Sequence, residues 1–104
     1  VKKIVNNKNI NIIWRNVDSS TIDTIHYSSY QGKSYLGVKF SNEYSYIYSD
    51  VSLFEVLQMI SSDSCGGYFS KNIRSKYPYK HVGRIETDSP LIEIGINEEG
   101  IWGV

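Results

Sequence analysis

The segment Tyr68-Phe69-Ser70-Lys71-Asn72-Ile73-Arg74-Ser75-Lys76-Tyr77-Pro78-Tyr79-Lys80 interleaves aromatic rings with cations. Phosphates are held by cationic forks and backbone amides, and nucleobases by flat faces on which they stack. The segment supplies both, so a nucleotide is the ligand class that its residue types fit. Tyr68, Lys71, Asn72, Arg74, Lys76, Tyr77, Tyr79 and Lys80 are its binding candidates. Phe69, Ile73 and one of Tyr77 or Tyr79 are equally suited to a core, and that alternative stays open. Tyr44, Tyr46 and Tyr48 recur at every second position, which on a strand places them on one face. If that face is open, Tyr44 and Tyr46 join the candidates as a stacking platform. The competing reading is half-buried packing, for which tyrosine has an apolar body and a polar tip.

Catalytic readings find less to work with. A metal site needs three or four ligands at compatible spacing, and His26, His81 and the single Cys65 form no such cluster. Neither a metal nor a cofactor is expected. Cys65 and His81 would make a nucleophile and base only if the fold joined them, and Cys65 stands in a Ser/Gly stretch with no third residue to orient the histidine. The carboxylates resolve into no acid and base pair, and Gly66-Gly67 is too short to be a phosphate-cradling loop. The expectation is a binding protein and not an enzyme.

Charge narrows the partners. The 104 residues carry 11 basic and 11 acidic side chains. Zero net charge argues against a dedicated duplex-DNA coat, which binds through overall positive charge. Residues 66 to 84 nevertheless hold five basic side chains and no acidic one, whereas residues 85 to 104 hold five acidic and no basic one. Such asymmetry points to an anion site or to a self-complementary contact between segments or subunits, against the alternative of a solvated basic face. A lone cysteine forms no internal disulfide, so cytoplasmic residence is the default. No apolar run approaches the roughly 18 residues of a membrane span, and the start Val1-Lys2-Lys3-Ile4-Val5 followed by Asn6-Asn7-Lys8 lacks the apolar stretch of a signal peptide. No membrane partner is expected.

The elements that position these residues follow from periodicity. Ile10, Ile12 and Trp14 alternate with Asn11, Ile13 and Arg15 as a short strand. Thr21 to Tyr27 is rich in strand formers, Ser34 to Phe40 alternates most clearly, and Ser41-Asn42 turns the chain into a partner over Glu43 to Ser49. These make a three-strand antiparallel meander. Ser52-Leu53-Phe54-Glu55 predicts a capping box, with the serine accepting from the Glu55 amide and the glutamate reaching back. Leu53, Phe54, Leu57 and Ile60 then form an apolar stripe that packs a main helix on the sheet, ended by the Ser/Gly run at 61 to 67. A short second helix is predicted from a Ser70 cap to about Tyr77, because Pro78 bars extension. Ile92, Ile94 and Ile96 predict a terminal strand, and Trp102 a core or interface residue. The fold class is α+β: one domain over residues 1–104, with a small antiparallel sheet of a three-strand meander plus terminal strands, packed by one main helix and a short second one.

The pattern also resembles a known family. Ser19-Ser20-Thr21-Ile22, Ile25, Tyr27, Leu36-Gly37-Val38-Lys39-Phe40, Tyr44-Ser45-Tyr46, Val51, Ser64-Cys65-Gly66-Gly67-Tyr68-Phe69, Ile73-Arg74 and Tyr77-Pro78-Tyr79 carry the likeness. Together they resemble a KTSC domain over residues 18 to 82, which leaves 83 to 104 as an extension outside the match. Ser52 and Ser70 depart from that pattern, standing where the family commonly has proline and asparagine. The family occurs fused to some lysyl-tRNA synthetases and alone in bacterial and phage proteins. The resemblance implies an association with RNA binding without an established reaction. Some small phage proteins of similar build resemble sponges that bind cyclic nucleotide immune signals.

Three functional expectations result. The first is an oligomeric, phage-type sponge that sequesters a cyclic dinucleotide in the cytoplasm, of the host if phage-encoded. Its oligomer is argued from the small concavity that a lone 104-residue sheet with one main helix offers, against the 70 to 90% ligand burial typical of small-molecule sites. The second is an RNA-binding module that uses the same residues as an open track, and the third a protein-interaction domain.

Overall fold

Alternating apolar and aromatic residues build five strands: β1 (Ile10–Arg15), β2 (Ile22–Tyr30), β3 (Lys33–Phe40), β4 (Ser45–Ser49) and β5 (Tyr79–Gly83). Two helices, α1 (Leu53–Ser61) and α2 (Cys65–Asn72), lie between β4 and β5 in the chain. The computed structural model describes residues 10–15, 17, 20–30, 32–42 and 44–83. The predicted strand at Ile92 to Ile96, the acidic segment, Arg84 and Trp102 lie outside these residues.

The strands pair antiparallel in the order β1-β2-β3-β4-β5, an α+β fold with the meander of the sequence reading at its centre. Residues directly opposite one another share a face, so the register defines two faces. Ile12, Tyr27, Leu36, Tyr48 and Tyr79 form one row across the whole sheet, and Trp14, Ile25, Val38, Tyr46 and His81 form the next row on that same face. Ile13, His26, Gly37, Ile47 and Lys80 form a row of the opposite face, where His26 and Ile47 are buried.

The first face carries the helices. Ile25, Leu36, Val38 and Tyr48 pack there with Val51, Val56, Met59, Cys65, Phe69 and Ile73 in one buried cluster. Each fully buried aliphatic side chain of this kind stabilises the fold by roughly 1.5 to 3 kcal/mol relative to an exposed one. Met59 belongs to this cluster although the predicted stripe did not include it. Conversely, Phe54 is 70% exposed and Leu57 45%. Helical rotation explains the correction: Leu53, Val56 and Ile60 share one stripe with Met59 beside it, and Phe54 and Leu57 are turned away from it.

The predicted helix starts fare differently. Ser52 caps α1, its hydroxyl accepting from the Glu55 amide at 3.1 Å. The return contact of the capping box is not formed among the described residues, because the Glu55 carboxylate instead accepts the Tyr68 hydroxyl at 2.7 Å. The second helix begins six residues upstream of its prediction. Ser64, not Ser70, is the cap, accepting from the Gly67 amide at 3.0 Å, and the helix ends at Asn72 with Ile73 as its C-cap. Cys65, Gly66 and Gly67 therefore open a helix that the sequence reading treated as the end of α1. Tyr79 to Gly83 is a further correction: this part of the basic segment is a sheet strand paired with β4.

Candidate functional site

Three elements meet at one edge of the helix-covered face. β4 brings Tyr46 and Tyr48, β5 brings Tyr79, and α2 runs beside them. Helical spacing turns Gly66, Phe69 and Ser70 of α2 toward the same side, and the turn after the helix adds Arg74 and Ser75. Thr21 and the β3–β4 connection, with Phe40, Asn42 and Tyr44, complete the enclosure. The cavity between them has a volume of about 600 Å³, inside the roughly 300 to 1,000 Å³ of small-ligand sites. One chain therefore forms the concavity that the sequence reading assigned to a pair of chains.

Aromatic rings dominate its wall. The Tyr46 ring lies 4.9 Å from that of His81 and 5.9 Å from that of Tyr79, while Tyr44 and His81 are 5.7 Å apart. Deeper in, Tyr48 meets Phe69 edge-on at 5.4 Å and Phe40 meets Phe69 at 5.5 Å. These spacings are those of interacting aromatic pairs, so the inner rings make a rigid floor. Tyr44 remains 56% exposed at the rim. A flat ring laid against Tyr44, Tyr46 or Tyr79 would find a stacking surface worth roughly 1 to 3 kcal/mol per base.

Arg74 supplies the charge. Burial pushes the Tyr48 phenol up to about 12, and the guanidinium of Arg74, which lines the cavity, acts against that shift. Among the described residues Arg74 pairs with no carboxylate, and no Asp or Glu lines the cavity. An anion entering it meets a cation and the hydroxyls of Ser70 and Ser75.

Of the residues singled out from the sequence, the structure brings Tyr44, Tyr46, Arg74 and Tyr79 together around this cavity. The others stand elsewhere. Tyr68 donates to Glu55, and that bond is the main cause holding its phenol at about 12. Tyr77 lies in the turn after α2, and its phenol is raised by burial and then by the Glu55 charge. Asn72 donates its side-chain amide to the Tyr68 carbonyl at 3.2 Å. Lys71 and Lys76 are exposed and away from the cavity wall, and Lys80 sits in register with Ile47 on the opposite face. Sequence reasoning did not select Asn42, Ser70 or Ser75.

The nucleophilic pair weighed from the sequence finds no support in the geometry. Cys65 is 3% exposed in the core cluster and its thiol is pushed up by burial, away from the thiolate that reacts. His81 is exposed, its ring tilted against those of Tyr44 and Tyr46. Among the described residues no group of three or more His, Cys, Asp or Glu is placed to hold a metal ion. No helix among them is long and apolar enough to cross a membrane.

A five-stranded antiparallel sheet with two helices against one face, and an aromatic cavity where sheet and second helix meet, defines a small α+β domain. The family model of the KTSC domain matches residues 18–77, more than half of the 104, and the chain belongs to that family. Tyr79 lies just beyond the match, so β5 adds part of the cavity wall to the family core. No curated protein matches the chain.

Proposed function

We propose that this protein binds a small phosphorylated nucleotide without turning it over, in the cavity between β4, β5 and α2. One observation carries the reading: a cavity of about 600 Å³ combines the rings of Tyr44, Tyr46 and Tyr79 with the guanidinium of Arg74, and no carboxylate lines it among the described residues. Stacking surfaces and a planar cationic fork are complementary to a base and its phosphate. A cyclic dinucleotide immune signal is the ligand proposed, sequestered in the manner of a phage sponge. Such a ligand repeats base and phosphate about a two-fold axis, and a two-fold pair of chains would present this cavity twice. The homo-oligomer is thus proposed on ligand symmetry, since one chain already forms a concave site.

Thermal-shift measurement against cyclic dinucleotides, mononucleotides and short single-stranded RNAs tests the proposal. Ligand at about 100 times its Kd adds roughly 2.7 kcal/mol, and each kcal/mol moves the midpoint by about 4 to 8 °C in a domain near this size. Shifts with a cyclic dinucleotide, intact on recovery, are expected. No shift with any nucleotide refutes the reading, and recovery of a cleaved nucleotide refutes its non-catalytic part. RNA binding is the second reading, favoured by Lys71 and Lys76 standing exposed beyond the cavity. It would show a salt slope of about 0.7 per phosphate neutralised.

A further inference from the structure

His81 stands directly opposite Tyr46 in the β4–β5 pairing, on the face of the sheet that carries the helices. Its ring centroid is 4.9 Å from that of Tyr46 and 5.7 Å from that of Tyr44. Both tyrosines line the cavity, whereas the histidine does not. A ligand laid against Tyr46 is therefore one ring removed from an imidazole. That imidazole is exposed, so it exchanges protons with solvent.

Histidine is the side chain that ordinarily changes charge between about pH 5 and 8. The titratable and charged groups that face His81 are of other kinds. Tyr46 faces it from β4, Tyr44 from the β3–β4 connection and Tyr79 from two residues earlier on the same side of β5, while Arg74 lines the same cavity from the turn after α2. Phenols and guanidinium groups ordinarily titrate well above that window. Lys80 belongs to the opposite face, and among the described residues no carboxylate pairs with His81. The other histidine, His26, is buried in the opposite face as well.

Linkage fixes the sign. A phosphorylated ligand is an anion, so it favours the protonated imidazole and its binding is coupled to proton uptake. Affinity therefore rises as the pH falls through the histidine range. The distance is short enough for this: an imidazolium 4.9 Å from Tyr46 and a ligand touching that ring at about 4 Å lie within the roughly 10 Å over which charges interact at 0.1 M salt.

Resting on the nucleotide reading above, we propose that His81 is a proton-dependent second cation of this site, which tightens the capture of an anionic nucleotide as the pH falls. It acts across Tyr44 and Tyr46 by its charge, and Arg74 remains the cation that lines the cavity.

The test is calorimetric titration of the full chain with cyclic di-GMP and with cyclic di-AMP at about pH 5.5 and about pH 8. Both ligands are phosphodiesters and lack the ionisation near pH 6 of a phosphate monoester, so a pH dependence belongs to the protein. Binding is expected to be roughly two- to fivefold tighter at the lower pH, the scale of an exposed ion pair. His81→Phe keeps a ring beside Tyr44 and Tyr46 but takes no proton, and its affinity is expected to be the same at both pH values, near the weaker one of the unaltered chain. His81→Lys carries the charge throughout and is expected to be equally flat, near the tighter one. A purely structural role would shift the affinity in these variants and leave the pH slope in place.

Equal affinity of the unaltered chain at the two pH values, or a slope that survives in His81→Phe, overturns the assignment while leaving nucleotide binding intact. Binding of neither ligand at either pH removes the nucleotide reading itself and this inference with it.

Discussion

Arg74→Ala separates a defined cavity from a diffuse basic surface. Arg74 lies in the turn after α2 and is the cation among the described residues lining the cavity. A hydrogen bond to a charged partner contributes roughly 1.5 to 3 kcal/mol. Arg74 is exposed, so the lower part of that range applies. About 1.5 to 2 kcal/mol corresponds to a Kd roughly 10- to 30-fold weaker. The fold should be little affected, because an exposed substitution of this kind stays within about 0.5 kcal/mol. Lys71→Ala is the matched control. Two residues along an α-helix rotate the side chain by about 200°, so Lys71 leaves α2 on the side away from Phe69 and the cavity. Its removal should change Kd less than about twofold, the size of a screened, distant charge. Calorimetric titration with cyclic di-GMP measures both variants, and thermal denaturation confirms that both are folded. An unchanged Kd in Arg74→Ala would refute the assignment of the cavity. Equal losses in Arg74→Ala, Lys71→Ala and Lys76→Ala would show that binding follows the whole basic surface, as an open RNA track requires.

Three further outcomes are expected from the packing. The Glu55 hydrogen bond holds the Tyr68 phenol up at about 12, so its proton is retained more tightly folded than unfolded. The associated stability is complete below the ordinary value of about 10 and is lost as the pH rises through the folded value. Tm should therefore fall between about pH 10 and 12, and Tyr68→Phe, less stable by about 1 kcal/mol near neutrality, should fall less steeply over that window; parallel alkaline curves would contradict this. Ser64→Ala should cost about 1 kcal/mol through loss of the α2 cap. A Cβ on Gly67 would stand 2.9 Å from Ser64 Oγ, so Gly67→Ala alone should fail to gain the usual helix benefit. Added to Ser64→Ala it should recover about 1 kcal/mol, and additive effects in urea denaturation would exclude this competition. Finally, Phe54→Ala should stay within about 0.5 kcal/mol whereas Met59→Ala costs about 2 to 5; a large cost at Phe54 would place the wrong face of α1 inward.

The strands of the meander were legible because their signal is local. Leu36, Val38 and Phe40 alternate with Gly37 and Lys39, and alternation needs no knowledge of what lies opposite. The α1 start was legible for a similar reason, since Ser52 and Glu55 meet within one turn. What those residues do next was not. Glu55 was expected to fold back on Ser52, and it turns instead to a tyrosine thirteen positions along the chain. Leu53 and Ile60 were placed on the buried side of α1 correctly, yet Phe54 and Leu57 beside them were not. Hydrophobicity alone does not say which of two overlapping stripes meets the sheet.

By itself the amino-acid sequence determined the α+β class, the antiparallel meander, the membership of the KTSC family and the ring-and-cation composition of one segment. Only tertiary structure decided which members of that segment meet. Helix stability comes mainly from packing an apolar face, and burial of Cys65, Phe69 and Ile73 draws α2 upstream to Ser64, sending Lys71 outward and leaving Arg74 at the cavity. Pairing with β4 makes Tyr79 and Lys80 neighbours on opposite faces, one beside Tyr48 and the other beside Ile47. Residue types and their spacing are written along one dimension, whereas a binding wall is assembled from strands and helices whose contacts are distant in the chain.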